Sequence, residues 1–359
     1  MSFINFKKRA IGIDISDLSI KFALIEKKGK KTKLVSLIKQ DIPVGAIEKG
    51  EIRNEQLVTQ AIQKAVQVLE KEKKGSFKKA VITLPEEKSF VDIIKLPVLK
   101  EAEKVSSMVA FEAENVIPFP LSEVYYDFEK VETTAKLAKC QEVILAACPK
   151  KTVDAYLSIF KGAGFFPVAM EVESFAIARA ITERDFFYSP FLAVDFGETR
   201  TTLAIFAGKN LRLTSTIQVS SGQLTKSIAA FFEISEETAE EIKIKEGLSG
   251  KKEVYEAMIP FLNDTAEQIK NYIDYYHTHS VKCQEFDNKK SLKKICLCGE
   301  GANLKGITEF LFSELGMEVE KADVLINLSE KKLPQNFKNS DALGFATAIG
   351  AALRGVEQN

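Results

Sequence analysis

Two aspartates stand at the ends of two apolar runs that read alike. The first is Asp14, in Ala10-Ile-Gly-Ile-Asp14-Ile-Ser-Asp-Leu-Ser-Ile-Lys21-Phe-Ala-Leu-Ile25. The second is Asp195, in Leu192-Ala-Val-Asp195-Phe-Gly-Glu-Thr-Arg-Thr-Thr-Leu-Ala-Ile-Phe206. The stretches align without a gap, placing Asp14 on Asp195, Ser16 on Gly197, Asp17 on Glu198 and Ala23 on Ala204. In each, a β-branched run ends in an acid, small or polar residues follow, and a second apolar run begins: strand, tight turn, strand. Such a turn presents successive backbone N–H groups as an anion-binding concavity. The carboxylate at the strand end can hold a hydrated divalent cation. Two facing copies would clamp a polyphosphate. One copy alone is an ordinary turn, where Asp is common; the recurrence points to phosphate.

The elements that must position these turns imply two related halves. With 359 residues, 45% of them hydrophobic and 28% charged, the chain can form about two domains. Fifty basic residues balance fifty acidic ones, so no global field argues for nucleic acid or an anionic membrane. The lysine clusters at 71–79 and 289–294 read as solvated loop charge. Cys140, Cys148, Cys283, Cys296 and Cys298 show no paired C-x-x-C spacing, so neither disulfides nor structural zinc are expected. No apolar run approaches the roughly 18–20 residues of a transmembrane helix. Residues 1–9 carry their charge after the apolar residues and lead into a strand, unlike a signal peptide. These features predict a cytoplasmic protein.

In chain order, residues 1–85 read as a sheet with a helix over 55–70. Residues 86–165 break the repeat with strands at 90–96, 125–131 and 142–147 and helices at 99–116 and 152–161. This predicts an inserted α+β module whose free face or sheet edge serves a partner. Residues 166–190 return as a strand and a small-residue helix opening at Glu173. A carboxylate is favoured at a helix start by the dipole; with the cleft nearby, Glu173 could orient a water at a terminal phosphate. The second half, 191–340, begins with the Asp195 hairpin and continues with a Ser235-capped helix, a long helix over 260–276 and a Gly299-Glu-Gly301 loop between a strand and a helix. His277 and His279 end the long helix with no further ligand cluster in the sequence. Residues 341–359 bring a helix over 342–353 whose small side chains suit a tight crossing of the Glu173 helix.

Several stretches resemble the type IV pilus assembly PilM family, which is similar to FtsA within the actin-like ATPases. They are Ile11-Gly-Ile-Asp14 with Ser19-Ile-Lys21, Ile42-Pro-Val-Gly45 with Gly50-Glu-Ile, Phe111-Glu-Ala-Glu114-Asn-Val-Ile-Pro118-Phe-Pro120, and Phe345-Ala-Thr-Ala-Ile-Gly350. The resemblance implies an α/β architecture: a duplicated actin-like (ribonuclease H-like) two-lobe ATPase fold, with 86–165 as a small inserted α+β domain. It implies ATP and Mg2+ as ligands. Asp14, Ser16, Asp17, Ser19 and Lys21 would make the first phosphate loop, and Asp195, Gly197, Thr199 and Arg200 the second. Asp14 and Asp195 would hold the metal through water. Glu240 and Lys243 would meet the sugar, and Gly299, Gly301 and Ala302 the adenosine. Asp17 would repel phosphate unless Mg2+ or Lys21 compensates, and Arg200 would offset Glu198, so binding is expected with at most weak hydrolysis. The implied partner is the cytoplasmic tail of a PilN-like inner-membrane protein, making membrane contact indirect. An FtsA-like filament-forming division protein is the alternative, with self-association left open. A small-molecule kinase or phosphatase on the same fold is the enzyme reading.

Overall fold

The computed structural model describes residues 8–73, 78–98, 102–131, 140–183, 190–208, 210–279, 292, 294–335 and 337–358. The first turn of the expected 99–116 helix, most of the lysine cluster at 289–294, part of the one at 71–79, the first seven residues and Cys283 lie outside them.

The first half opens with β1 (Lys8–Ile15), β2 (Ser19–Lys28) and β3 (Lys31–Asp41), an antiparallel meander. A two-residue ladder, β4 (Ile47–Glu48) with β5 (Glu51–Ile52), precedes α1 (Glu55–Lys73), whose start is capped by the Asn54 carboxamide accepting from Leu57 N at 3.1 Å. β6 (Lys79–Leu84) joins β1 in parallel. Next come β7 (Phe90–Leu96), α2 (Ala102–Val116), β8 (Val124–Lys130), β9 (Gln141–Pro149) and α3 (Lys150–Gly162). β10 (Phe166–Val172) returns beside β6, and α4 (Glu173–Ile181) follows without a break.

The second half repeats this plan. β11 (Phe191–Phe196), β12 (Thr201–Ala207) and β13 (Asn210–Ile217) form the meander. α5 (Ser221–Phe232) begins in a Ser220/Gln223 capping box, and α6 (Glu236–Glu246) starts at the Ser235 cap. α7 (Lys252–His279) leads to β14 (Lys294–Cys298), α8 (Ile307–Leu315) and β15 (Glu318–Lys321). The chain closes with α9 (Asn339–Leu343) and α10 (Ala346–Gln358). One sheet runs β10-β6-β1-β2-β3 and the other, read from its far edge, β15-β14-β11-β12-β13. Strand order and direction correspond one for one, so the duplication seen in two short stretches extends through five strands of each half.

Some elements differ from the sequence expectation. α7 starts at Lys252, with Pro260 inside it. Its buried face of Val254, Met258, Leu262, Ile269 and Ile273 is long enough to outweigh a cost of roughly 3 kcal/mol for an interior proline. The expected 342–353 helix is two helices, parted at Gly344 and Phe345. Cys140 is disulfide-bonded, against the expectation from spacing, which says nothing about approach in space; Cys148, Cys296 and Cys298 are free and buried.

The three-stranded sheet β7-β9-β8 packs one face on α2 through a core of Ile94, Val105, Val109, Val143 and Leu145. The face expected to be free is in part covered: Val91, Ile93 and Ile144 join the core of the second half, and Glu142 pairs at 2.6 Å with Arg212 on β13. β8 is the edge strand of its sheet, with β9 as its one paired neighbour among the described residues.

α10 lies against β1 and crosses α4. At Gly12 a Cβ would stand 2.0 Å from the Ala348 carbonyl oxygen, and at Gly350 1.8 Å from that of Ala176. Both contacts are between backbones, so any side chain would push the helix away.

Candidate functional site

Each hairpin carries its aspartate at the last turns of the ladder, where register decides what faces it. Asp14 pairs across with Lys21, and Asp195 with Thr202, the equivalent position. The first turn is tied by Ser16 N donating to Ser19 O at 2.9 Å and Ser19 N donating to Ser16 Oγ at 3.3 Å. In the second, Gly197 N donates to Arg200 O at 3.0 Å, and a Cβ at Gly197 would lie 2.7 Å from that oxygen. The two turns converge on a cavity of about 50 Å³ between the halves. Asp14, Ser16, Ser19, Lys21, Glu173, Asp195, Gly197, Thr199, Arg200 and Gly299 all line it.

The other residues anticipated from the resemblance lie elsewhere. Asp17 turns from the cavity: its carboxylate accepts from Lys49 N at 2.7 Å and Gly50 N at 2.9 Å. Gly50 sits at φ 70°, and Lys49 at φ 49°, so this turn is held in a left-handed conformation by the acid beneath it. Glu240 and Lys243 meet each other at 2.6 Å on α6. The Lys243 ammonium is buried, donating to Ser221 Oγ at 3.0 Å and Thr225 Oγ1 at 2.7 Å, and so clamps α6 to α5. Gly301 and Ala302 are buried under Phe196, outside the cavity wall.

Gly299 has a positive φ of 84°, and a Cβ there would stand 2.4 Å from Asp195 Oδ1. Only glycine lets the loop after β14 pass over the carboxylate. That loop delivers Glu300, which the sequence reading passed over in favour of its glycine neighbours. Glu300 accepts from Lys21 Nζ at 3.0 Å and from Lys39 Nζ at 3.0 Å. Lys39 faces Lys21 across the β2/β3 ladder, a proximity that only register reveals. Thr83, at the end of β6, donates to Asp14 Oδ1 at 3.1 Å; its place at the C-terminal end of a parallel strand was a usable signal.

On the hinge side, Arg200 reaches from the second half into three first-half carboxylates: Glu173 at 2.8 Å, Glu87 at 3.3 Å and Asp17 at 3.6 Å. Deeper still, Glu86 is buried and accepts from Ser174 N at 2.9 Å and Thr214 Oγ1 at 2.7 Å.

The electrostatics follow from burial and these pairings. Burial, then the charge of Asp14, pushes Asp195 up to about 6. Burial likewise raises Glu173, with Arg200 opposing. Burial disfavours the Lys21 charge, but Glu300, Asp14 and Asp195 outweigh it and hold Lys21 above its ordinary range. Glu300 is also penalised by burial, yet Lys21 and Lys39 bring it down to about 2. Two crowded carboxylates beside lysines make a site that seeks a cation and an anion together. Mg2+ keeps most of its waters and needs only one or two carboxylates, so Asp14 and Asp195 fit it as outer ligands. Among the described residues no group of three or more His, Cys, Asp or Glu forms a closed metal cage.

Residues 12–356 match the family described as type IV pilus assembly protein PilM. Among solved structures, a PilM-PilN type IV pilus biogenesis complex is similar at TM-score 0.79 and 24% identity, covering 97% of this chain and 98% of that one. Ethanolamine utilization protein EutJ from Carboxydothermus hydrogenoformans is similar at TM-score 0.59 and 16% identity, covering 96% and 89%. MreB5 of Spiroplasma citri bound to AMPPNP is similar at TM-score 0.54 and 13% identity, covering 98% of each chain. The fold is thus the duplicated actin-like one, with the additional three-stranded module.

Proposed function

Since this chain belongs to the type IV pilus assembly protein PilM family, we propose that it is an ATP-binding scaffold. It would recruit the cytoplasmic tail of a PilN-like inner-membrane protein to a pilus or related secretion machine. The observation that carries the nucleotide part is the convergence of two equivalent Asp-ended turns and Lys21 on one cavity between duplicated halves. Bound there, Mg2+ supplies charge neutralisation for the phosphates. Asp14 and Asp195 would hold its water shell, the Ser16, Ser19 and Thr199 hydroxyls would face phosphate oxygens, Gly197 would let them approach the second turn, and Lys21 would pair with their charge. Of the residues expected to meet the nucleoside, Gly299 alone lines the cavity; Glu240, Lys243, Gly301 and Ala302 would support that side from behind. Glu173 lines the cavity and would orient a water, but Arg200 engages it, so the site is expected to bind better than it hydrolyses.

A second region suits the partner. A groove of about 590 Å³ separates β8 and β9 from β10, α4 and α10, with Tyr126, Phe128, Met170 and Phe175 among its walls. The edge strand β8 flanks it, so an extended tail can add main-chain hydrogen bonds while its side chains enter the groove. A solved relative is itself a complex of PilM with PilN. No helix among the described residues is long and apolar enough to cross a membrane; in this reading the chain meets the inner face of the membrane through its partner. The filament-forming reading has only the shared fold in its favour.

The test is calorimetric titration of the full chain with ATP and Mg2+, comparing wild type with Asp14→Ala and Asp195→Ala, followed by titration with synthetic peptides of the cytoplasmic tail of a PilN-like protein. Saturable ATP binding lost in both variants is expected. Absence of binding by wild type would overturn the nucleotide half and leave a purely structural scaffold.

A further inference from the structure

A cavity of about 50 Å³ cannot hold a nucleotide, since ligand sites run to roughly 300–1,000 Å³. The halves must therefore part for loading, and what holds them together at the mouth decides the cost. Two sets of ion pairs cross the cleft. Arg200 with Glu173, Glu87 and Asp17 lies at the hinge, with every side chain at most 17% exposed. The other among the described residues, at the mouth, is Glu300 bridging Lys21 and Lys39, with Glu198 a further 3.8 Å neighbour of Lys39. It is the more accessible, with 32% of Glu300 and 36% of Lys39 exposed.

Glu300 is a built position, held by backbone on both sides. Gly299 N donates to Leu343 O at 2.9 Å, anchoring the loop to the end of α9. Gly344 makes room next to it: a Cβ there would stand 2.6 Å from Glu300 Cγ. The carboxylate is thereby aimed at both ammonium groups of the β2/β3 ladder, one oxygen to each.

We propose that Glu300 is an internal anion standing in for a phosphate: it neutralises Lys21 and Lys39 when the halves are closed on each other and must leave them when a nucleoside polyphosphate enters. This rests on the nucleotide reading above. Loading is then an exchange of one anion for another at the same two lysines, and the arriving charge opens the latch that kept the cleft shut. A carboxylate left near the phosphates would add repulsion to competition. Both effects make Glu300 a brake on affinity.

The experiment is calorimetric titration of the full chain with Mg-ATP and Mg-ADP, using wild type, Glu300→Gln, Glu300→Ala, Lys21→Ala and the Lys21→Ala/Glu300→Gln double variant. Circular dichroism would confirm that each is folded. The inference expects both Glu300 variants to bind about 5- to 30-fold tighter than wild type, and the gain to shrink on the Lys21→Ala background, where only Lys39 and the relieved repulsion contribute, because a shared partner makes the effects non-additive. Equal or weaker binding by folded Glu300→Gln and Glu300→Ala, with wild type saturating normally, would overturn the latch and leave the nucleotide reading standing. The same gain with and without Lys21 would overturn it too, since the two would then act independently. No binding by any form would remove both.

Discussion

The two Asp-ended hairpins are equivalent in sequence and strand register, yet each sends its cation across the cleft to a different end. From the first, Lys21 reaches Glu300 at the mouth. From the second, Arg200 reaches Glu173, Glu87 and Asp17 at the hinge. A duplicated frame has been fitted with one exchangeable contact and one permanent contact. The difference arises in chemistry: an ammonium on a flexible stem can trade partners, whereas a planar guanidinium surrounded by three carboxylates is fixed by its geometry. Asp17 and Glu198, aligned in sequence, have parted in the same way. Asp17 holds a first-half turn together, while Glu198 lies at the surface within 3.8 Å of Lys39.

The comparison breaks most visibly at Arg200. Arg200→Met should lower stability by about 3–5 kcal/mol in chemical denaturation, because it leaves buried Glu173 and half-buried Glu87 and Asp17 without their shared cation. Lys21→Met, by contrast, should stay within about 1 kcal/mol of wild type, Glu300 keeping Lys39.

At Asp195 function and stability pull apart. Asp195→Asn should weaken Mg-ATP by about 2–4 kcal/mol in calorimetry. The same change should stabilise the apo protein at neutral pH. The native carboxyl binds its proton up to about 6 instead of the ordinary 3.8, so wild-type stability falls as pH rises through that window. The loss is about 2–3 kcal/mol at about 1.4 kcal/mol per pH unit. Denaturation at pH 3.5 and pH 7.5 checks it: the two proteins should match at the lower pH and diverge at the higher. An unchanged difference would remove Asp195 as the source.

Lys21→Ala should weaken Mg-ATP by about 1.5–3 kcal/mol, the range for a hydrogen bond to a charged group, with little change in melting temperature. Smallest is Asp17→Asn, expected to cost about 0.5–2 kcal/mol of stability by weakening the Lys49 and Gly50 contacts while leaving nucleotide affinity alone. A large affinity change in Asp17→Asn would show that the first turn is not divided as described.

How much of this was legible in advance differs between residues. Asp14 and Asp195 could be found from an ungapped repeat because a strand, a tight turn and a strand are local, and their apolar alternation is written in consecutive residues. The three-stranded insert was legible for the same reason. Pro260 misled the reading of α7, since a proline that usually opens a helix is here carried inside one by the packing of its buried face. The Gly344 break was hidden by an unbroken run of small helix-forming residues. The covering of the insert by β13 was hidden as well, for Glu142 and Arg212 are 70 positions apart.

The sequence by itself determined the duplication, the turns that end in Asp14 and Asp195, and the small residues and glycines that let α10 and the Gly299 loop approach closely. These depend on periodicity and on side-chain size at single positions. Only the tertiary structure decided which charges meet: Lys39 beside Lys21, Glu300 between them, Arg200 among three carboxylates, and Asp17 under a neighbouring turn. Ion pairs form between groups distant in the chain and near in space, so their partners are set by strand register and by the docking of the two halves.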